Sequence, residues 1–171
     1  MRVPTTVLAL VALAALAGCA APAAEDGDTG RNVSVTVTNN ADTAYDVRVV
    51  LATEPFDGVE ITYRNGSTRR LAVDRIDRIP PARLERATDI AVEADPVQTS
   101  QYTLRAGSGI GASYTDVPDD TTVVYFLRAR ASDANASIGA VRCGGGSRLT
   151  ELTVDINPDG SFSVTNACSG T

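Results

Sequence analysis

An alternation of apolar and polar residues is the feature that most constrains how this chain folds. It runs from Val33 to Val37 and again from Tyr45 to Leu51. Because a period of two places successive side chains on opposite faces, both segments are predicted to be strands with one buried face. After residue 31, no segment keeps apolar residues at the i, i+3, i+4 and i+7 positions of an amphipathic helix. The chain is therefore predicted to be built from strands.

Three further patterns indicate how the strands are arranged. The stretch from Thr121 to Ala131 is the most apolar one after the N-terminal region, which predicts a central strand buried on both faces. Asn65-Gly66 separates two short strands and favours the positive φ angles of a tight hairpin. The short link from Asn39 to Thr43 predicts that the strands on either side of it pair antiparallel.

Together these patterns predict an all-β fold. Short strands at intervals of roughly 8 to 15 residues are typical of a two-sheet antiparallel β-sandwich, immunoglobulin-like in general character. At most one short helix is expected, near residues 81–87, because Pro80-Pro81 precedes a short run without strand alternation. The chain contains no Trp, so it lacks the Cys-Trp-Cys hallmark of antibody domains, and only the architecture is predicted.

The first 18 residues have the pattern of a secretory signal peptide. Arg2 precedes an apolar run from Val7 to Ala17, and small residues follow that run. The run is too short for a transmembrane helix, which needs about 20 apolar residues. Export from the cytoplasm is therefore predicted.

The residues from Leu16 to Cys19, Leu-Ala-Gly-Cys, resemble the lipobox of prokaryotic lipoproteins. The resemblance implies that the Cys19 thiol carries a diacylglyceryl group or its archaeal counterpart, and that cleavage just before Cys19 makes it the first residue. It also implies a location on the cell membrane, lipid-anchored and facing outside the cytoplasm. The alternative is an ordinary secreted protein in which Cys19 is incidental. No resemblance to a named functional family accompanies the motif.

This interpretation divides the chain into three parts. Residues 1–18 are the signal peptide, and residues 19–31 are the lipidated cysteine followed by a flexible linker with too little hydrophobicity to fold. Residues 32–171 remain as a single β-sandwich domain, which is within the usual size of one domain.

The three cysteines fit the same interpretation. Three cysteines in an exported protein leave one unpaired, and lipidation of Cys19 accounts for it. Cys143 and Cys168 are then predicted to form a structural disulfide. A redox-active or metal-binding pair is the alternative, but it needs a Cys-x-x-Cys spacing or histidine partners that the sequence lacks.

The charge of the chain excludes one class of function. All 15 basic residues are Arg, and 21 acidic residues give a formal net charge of −6. Removing residues 1–18 leaves 14 Arg against 21 acids, or −7. Such a surface repels nucleic acid, which is bound through clustered cations. The composition resembles that of proteins from halophilic archaea; a GC-rich bacterium, whose codons favour Arg over Lys, is the alternative.

The absence of histidine argues against most enzymes. Ser-His-Asp and Cys-His catalysis need imidazole, as do blue-copper and most catalytic zinc sites. No cofactor is predicted. Carboxylates around Pro118 are weak candidates for a calcium site or an acid catalyst, and a solvated turn on an acidic surface is the preferred interpretation. These candidates are Asp116, Asp119 and Asp120, with Glu54 or Glu151 as further partners.

Three Asn-x-Ser sequences fit the acceptor pattern for N-glycosylation. They begin at Asn32, Asn65 and Asn135. Asn65 and Asn135 fall in predicted turns, where a transferase would reach them. The alternative is that all three sequences match by chance, because the chain is rich in Asn and Ser.

Two functions remain open from the sequence. The first is a non-enzymatic surface module, anchored to the membrane by its lipid, that binds a protein or another component of the cell envelope. The second is a carboxylate-based enzyme or a calcium-dependent binder that uses the Asp116–Asp120 loop. The first is preferred because the sequence contains a tether, a disulfide and many strands, but no recognisable catalytic set.

Overall fold

The computed structural model describes residues 31–95, 97–130 and 136–170, which form eleven strands and two 3-10 turns. In chain order the strands are β1 (Arg31–Asn39), β2 (Tyr45–Thr53), β3 (Gly58–Tyr63), β4 (Thr68–Leu71), β5 (Ala87–Glu93), β6 (Val97–Leu104), β7 (Ser108–Val117), β8 (Thr121–Ala129), β9 (Ser137–Val141), β10 (Arg148–Ile156) and β11 (Phe162–Ser169). No α-helix occurs in these described ranges. The predicted all-β fold is confirmed.

Two four-stranded sheets face each other and enclose the main hydrophobic core. One has the strand order β11-β10-β1-β7 and the other the order β6-β2-β8-β9. From β1, Val33, Val35 and Val37 point into this core and are at most 1% exposed. Val47 and Val49 of β2 enter the same core from the opposite sheet. The predicted sandwich and the inward faces of its first two strands are confirmed.

A third sheet, which the predicted two-sheet sandwich does not include, covers the outer side of β6-β2-β8-β9. Its strand order is β4-β3-β5, and it buries a second core. Ile61 of β3 and Ile90 of β5 share that core with Val124 and Phe126 of β8. Because Val123 and its alternate neighbours on β8 face the main core, β8 is buried on both sides. The prediction made from its apolar sequence is confirmed.

The pairing of the first two strands differs from the prediction. β1 and β2 lie in different sheets and are not an antiparallel pair. β1 is flanked by β7, antiparallel, and by β10, parallel, so its two edges are already occupied. Because the apolar faces of β1 and β2 meet across the core, the short link between them crosses from one sheet to the other.

The buried side chain of Asn39 holds this crossing in place. Its Nδ2 donates hydrogen bonds to the carbonyl oxygens of Thr43 at 2.9 Å and of Arg105 at 3.0 Å, with a longer contact of 3.4 Å to that of Leu104. Its Oδ1 accepts one from the backbone N–H of Ala41 at 3.1 Å. The residue is fully buried. One amide therefore ties the β1–β2 link to the β6–β7 link.

Replacing Asn39 with alanine is expected to lower the free energy of unfolding by about 2 kcal/mol. The change leaves several backbone groups buried without partners, and each such group costs roughly 1–3 kcal/mol before local relaxation. Chemical denaturation measures the loss. Asn40→Ala is the matched control, because Asn40 is exposed and bonds to Ile156 through its backbone N–H. Equal stability of the two variants would contradict the role given to Asn39.

The segment near residues 81–87 forms less helix than predicted. Two 3-10 turns, Ile76–Arg78 and Pro81–Arg83, replace the expected single helix. Pro81 begins the second turn, where its fixed φ suits a helical start. The chain leaves the helical path at Arg86, with φ 62°, and β5 begins at Ala87. The start of β5 at Ala87 therefore limits the length of the helical segment.

Candidate functional site

A polar cleft of about 690 Å³ lies at the end of the sandwich where β8 and β10 begin and where β2 and β9 end. We call it the terminal cleft. Its lining comes from four separate parts of the chain: Glu54, Arg75, Ile76, Asp77, Asp119, Asp120, Thr122, Ala140, Arg142, Cys143, Gly144, Gly145, Gly146, Ser147 and Arg148. Four of these residues are acidic and three are basic, so the surface carries both charges.

Arginine–carboxylate pairs dominate the chemistry of the terminal cleft. Arg148 Nη2 lies 2.6 Å from Asp119 Oδ2, and Arg75 Nη2 lies 2.9 Å from Asp77 Oδ2.

The third pair is Arg142 with Glu54, at 3.2 Å between Nη1 and Oε2, and the Glu54 side chain is only 10% exposed. The other partners are well exposed, and exposed pairs contribute little to stability. These pairs therefore define the pattern of charge on the cleft more than they hold the fold together.

A glycine-rich loop forms one wall of the cleft. Gly145 and Gly146 adopt φ angles of 67° and 79°, which glycine reaches without strain. The loop begins at Cys143, which forms a disulfide with Cys168 across a Cα–Cα distance of 6.0 Å. The predicted pairing of these two cysteines is present, and it fixes the loop to the last strand.

At the end of the sandwich that carries the terminal cleft, some buried polar atoms lack hydrogen-bond partners within the part of the chain that the structure describes. Thr122 lines the cleft and is 1% exposed, and its Oγ1 is unpartnered. The guanidinium nitrogens of Arg31 are also buried without such partners. Burial lowers the pKa of Arg31, and the nearby Asp119 carboxylate opposes that shift. Buried polar groups without partners are costly to the folded state.

The structure brings together only some of the carboxylates singled out from the sequence. Asp119, Asp120 and Glu54 line the terminal cleft. Asp116 lies in β7 with φ 55°, and Glu151 lies exposed on β10; neither lines the cleft. In residues 31–95, 97–130 and 136–170, no group of three Asp, Glu or Cys side chains is arranged to hold a metal ion.

Sequence reasoning did not single out Arg142, Arg148 or the Gly144–Gly146 loop. The only available signal for that loop was the run of three glycines after Cys143.

Other sequence-predicted sites are spread over the chain. Cys19 and Asn135 lie outside the described residues. Asn32 is exposed on β1, and Asn65 is exposed between β3 and β4. Within the described ranges, no helix has the length and apolarity needed to cross a membrane.

Comparison with known proteins identifies a family. The family model described as "Halobacterial Ig domain protein" matches residues 1–171. No curated protein matches the sequence.

Several solved structures resemble parts of the fold at low scores. The T6SS lipoprotein TssJ1 from Pseudomonas aeruginosa is 14% identical, with a TM-score of 0.39 over 81% of this chain and 97% of that one. The human-specific toxin intermedilysin is 3% identical, with a TM-score of 0.36 over 80% of this chain and 23% of the toxin. Pneumolysin is 8% identical, with a TM-score of 0.36 over 83% of this chain and 24% of that one. Scores this low do not extend any property of these proteins to this chain.

Proposed function

Because this chain belongs to the halobacterial Ig domain proteins, we propose that it is a lipid-anchored surface module of a halophilic archaeon that binds another cell-envelope protein through its terminal cleft. The family supports the halophilic origin, which the acidic composition had indicated. The lipobox-like residues ending at Cys19 support the anchor. In this proposal the protein is a binding module and not an enzyme.

One observation carries the choice of binding over catalysis. Three of the four acidic side chains of the cleft, Glu54, Asp77 and Asp119, form ion pairs with arginines of the same cleft. A general acid or base has to exchange a proton with a substrate, whereas these carboxylates direct an oxygen at a guanidinium of the protein itself. Carboxylates paired in this way serve to display charge.

The lining of the cleft indicates the chemistry of the partner. Its acidic and basic groups are interspersed, which suits a polar protein segment that carries both charges. At molar salt the Debye length is about 3 Å, so long-range attraction is screened and only close contacts remain effective. Recognition is therefore expected to depend on direct hydrogen bonds and ion pairs inside the cleft.

A photo-crosslinking residue at Gly144 tests this proposal in intact cells. Gly144 is on the cleft wall, and an added Cβ there meets nothing within 4 Å, so the substitution leaves the fold intact. We expect one discrete cross-linked protein. The same probe at Gly111 is the matched control, because that glycine is equally open but lies on β7, outside the cleft. Cross-linking of equal yield at both positions would contradict the proposal.

Charge reversal in the cleft gives a second measurement. Arg142→Glu is expected to reduce the yield at Gly144 about fivefold, which corresponds to roughly 1 kcal/mol. The double variant Glu54→Arg with Arg142→Glu restores an ion pair in the opposite orientation. It should keep the fold without regaining the cross-link. Full recovery of cross-linking would show that the cleft charges do not select the partner.

A further inference from the structure

We propose that, of the two acceptor sequences within the described residues, Asn65 carries an N-glycan and Asn32 does not. This inference rests on the proposed location outside the cytoplasm, where a membrane-bound transferase and its lipid-phosphate-linked saccharide would meet the domain. It assigns a covalent modification to a surface away from the terminal cleft.

Asn65 lies at the tip of an exposed hairpin. It follows β3 and precedes β4, and the residues from Asn65 to Ser67 are all exposed. Gly66 has φ 79°, and no heavy atom lies within 4 Å of a Cβ built there. The backbone N–H of Gly66 donates to the Tyr63 carbonyl at 2.9 Å, which closes the turn. An enzyme active site can therefore surround this tripeptide without displacing other parts of the domain.

The turn also organises the acceptor side chain. The Oδ1 of Asn65 accepts hydrogen bonds from the Ser67 backbone N–H at 3.0 Å and from the Ser67 hydroxyl at 2.7 Å. This Asx-turn uses the hydroxyl that defines the acceptor pattern. Both bonds go to the carboxamide oxygen, so they fix the orientation of the group through the atom that does not react.

Asn32 has the same sequence pattern in a very different setting. It lies on β1, and the next residue, Val33, is 0% exposed in the main core. Ser34, which carries the required hydroxyl, is in register with Ser113 on one side and Glu151 on the other. A transferase would have to pull β1 out of the sheet to bind this tripeptide, and that would expose the core.

The transfer step is a substitution at the anomeric carbon of the donor saccharide. The Nδ2 of Asn65 forms the new C–N bond, and the bond between the anomeric carbon and the lipid phosphate breaks. The electron pair of that bond leaves with the phosphate, and the amide proton passes to a base of the transferase. No oxidant or reductant takes part.

The hairpin tip is well separated from the terminal cleft. Glu54 precedes β3 and Asn65 follows it, so six strand residues, about 20 Å in length, lie between the cleft and the acceptor. A bulky glycan at the tip would add hydrated volume to the third sheet and leave the cleft open.

Mass spectrometry of peptides from the protein isolated from its native membrane fraction tests the inference. We expect the peptide containing Asn65 to carry a saccharide and the peptide containing Asn32 to be unmodified. Asn65→Asp is the matched variant, because it keeps the oxygen acceptor of the turn but has no amide nitrogen, and it should lose the saccharide while folding normally. Ser67→Thr keeps the hydroxyl and should keep the saccharide, whereas Ser67→Ala should lose it.

The outcomes separate this inference from the proposed function. A lipidated chain in the membrane fraction with a bare Asn65 overturns the glycan assignment and leaves the surface location intact. A saccharide on Asn32 would show that the fold does not determine which acceptor sequence is modified. A chain recovered from the cytosol with Met1 in place overturns both proposals.

Discussion

Replacing Cys19 with alanine is expected to move nearly all of the protein out of the lipidated membrane fraction. In the proposed mature chain the lipid is the anchor, and each buried CH₂ group contributes about 0.8 kcal/mol to membrane binding. The mature chain carries 14 Arg against 21 acids, so its own surface offers an anionic membrane little attraction. Cell fractionation with an antibody against the domain measures the shift, and mass spectrometry of the N-terminus identifies the processed form.

The control for this experiment is Ala20→Ser, which alters the neighbouring residue and keeps the thiol. It should remain anchored and begin at a lipidated Cys19. Because blocked processing can leave the apolar run uncleaved, the decisive measurement is the mass of the first peptide. A wild-type chain that begins at Met1, or that begins at Cys19 without added lipid mass, would show that the lipobox interpretation is wrong.

Removing the disulfide with Cys143→Ser and Cys168→Ser is expected to lower the free energy of unfolding by about 3–4 kcal/mol. The bond joins residues 25 apart in sequence, and loop entropy gives a value of that size. For a domain of this length the loss corresponds to roughly 10 °C in Tm. Thermal denaturation measures it, and reduced wild-type protein should match the variant.

The structure explains why the loss of stability should first appear as local opening of β11. Nearly all of its residues are exposed on both faces, and only Val164 is half-buried. Pairing with β10 and the bond to Cys143 are therefore its main attachments. Hydrogen exchange should show β11 opening before β1 in the variant. Ser163→Ala, a change on the same exposed strand, should leave both Tm and exchange almost unchanged; uniform loss of protection would contradict this account.

The sequence predicted which face of each strand is buried much better than it predicted which strands pair with each other. The alternation around Val35 and the apolar run of β8 each report burial, which is a local property, and both predictions are confirmed. The third sheet and the parallel β1–β10 pair were not predicted. The alternation of apolar and polar residues indicates which face of a strand is buried, but it does not indicate which strand pairs with it. Asn39 was interpreted as a turn residue, and nothing in its local sequence indicates the bonds it makes to residues 65 and 66 positions away.

From the sequence, the carboxylates Asp119, Asp120 and Glu54 of the candidate site were named, but Arg142 and Arg148 were not. Asp119 and Asp120 stood out because they lie together beside Pro118. Arg142 and Glu54 are 88 residues apart, and their pairing depends on where β9 and β2 end. The separation of Asp116 from the cleft also depends on strand geometry, since this residue still belongs to β7.

Arg31, the first residue of β1, lies close enough to Asp119 and Asp120 of the terminal cleft for their charges to act on it. In the anchored chain that we propose, the twelve residue steps from Cys19 to Arg31 limit the distance between the lipid and β1 to about 40 Å. The cleft would thus meet its partner within a thin layer above the bilayer. Diffusion would be two-dimensional, and a weak contact with another membrane protein would gain from the effective concentration, in about the millimolar range, that short tethers give.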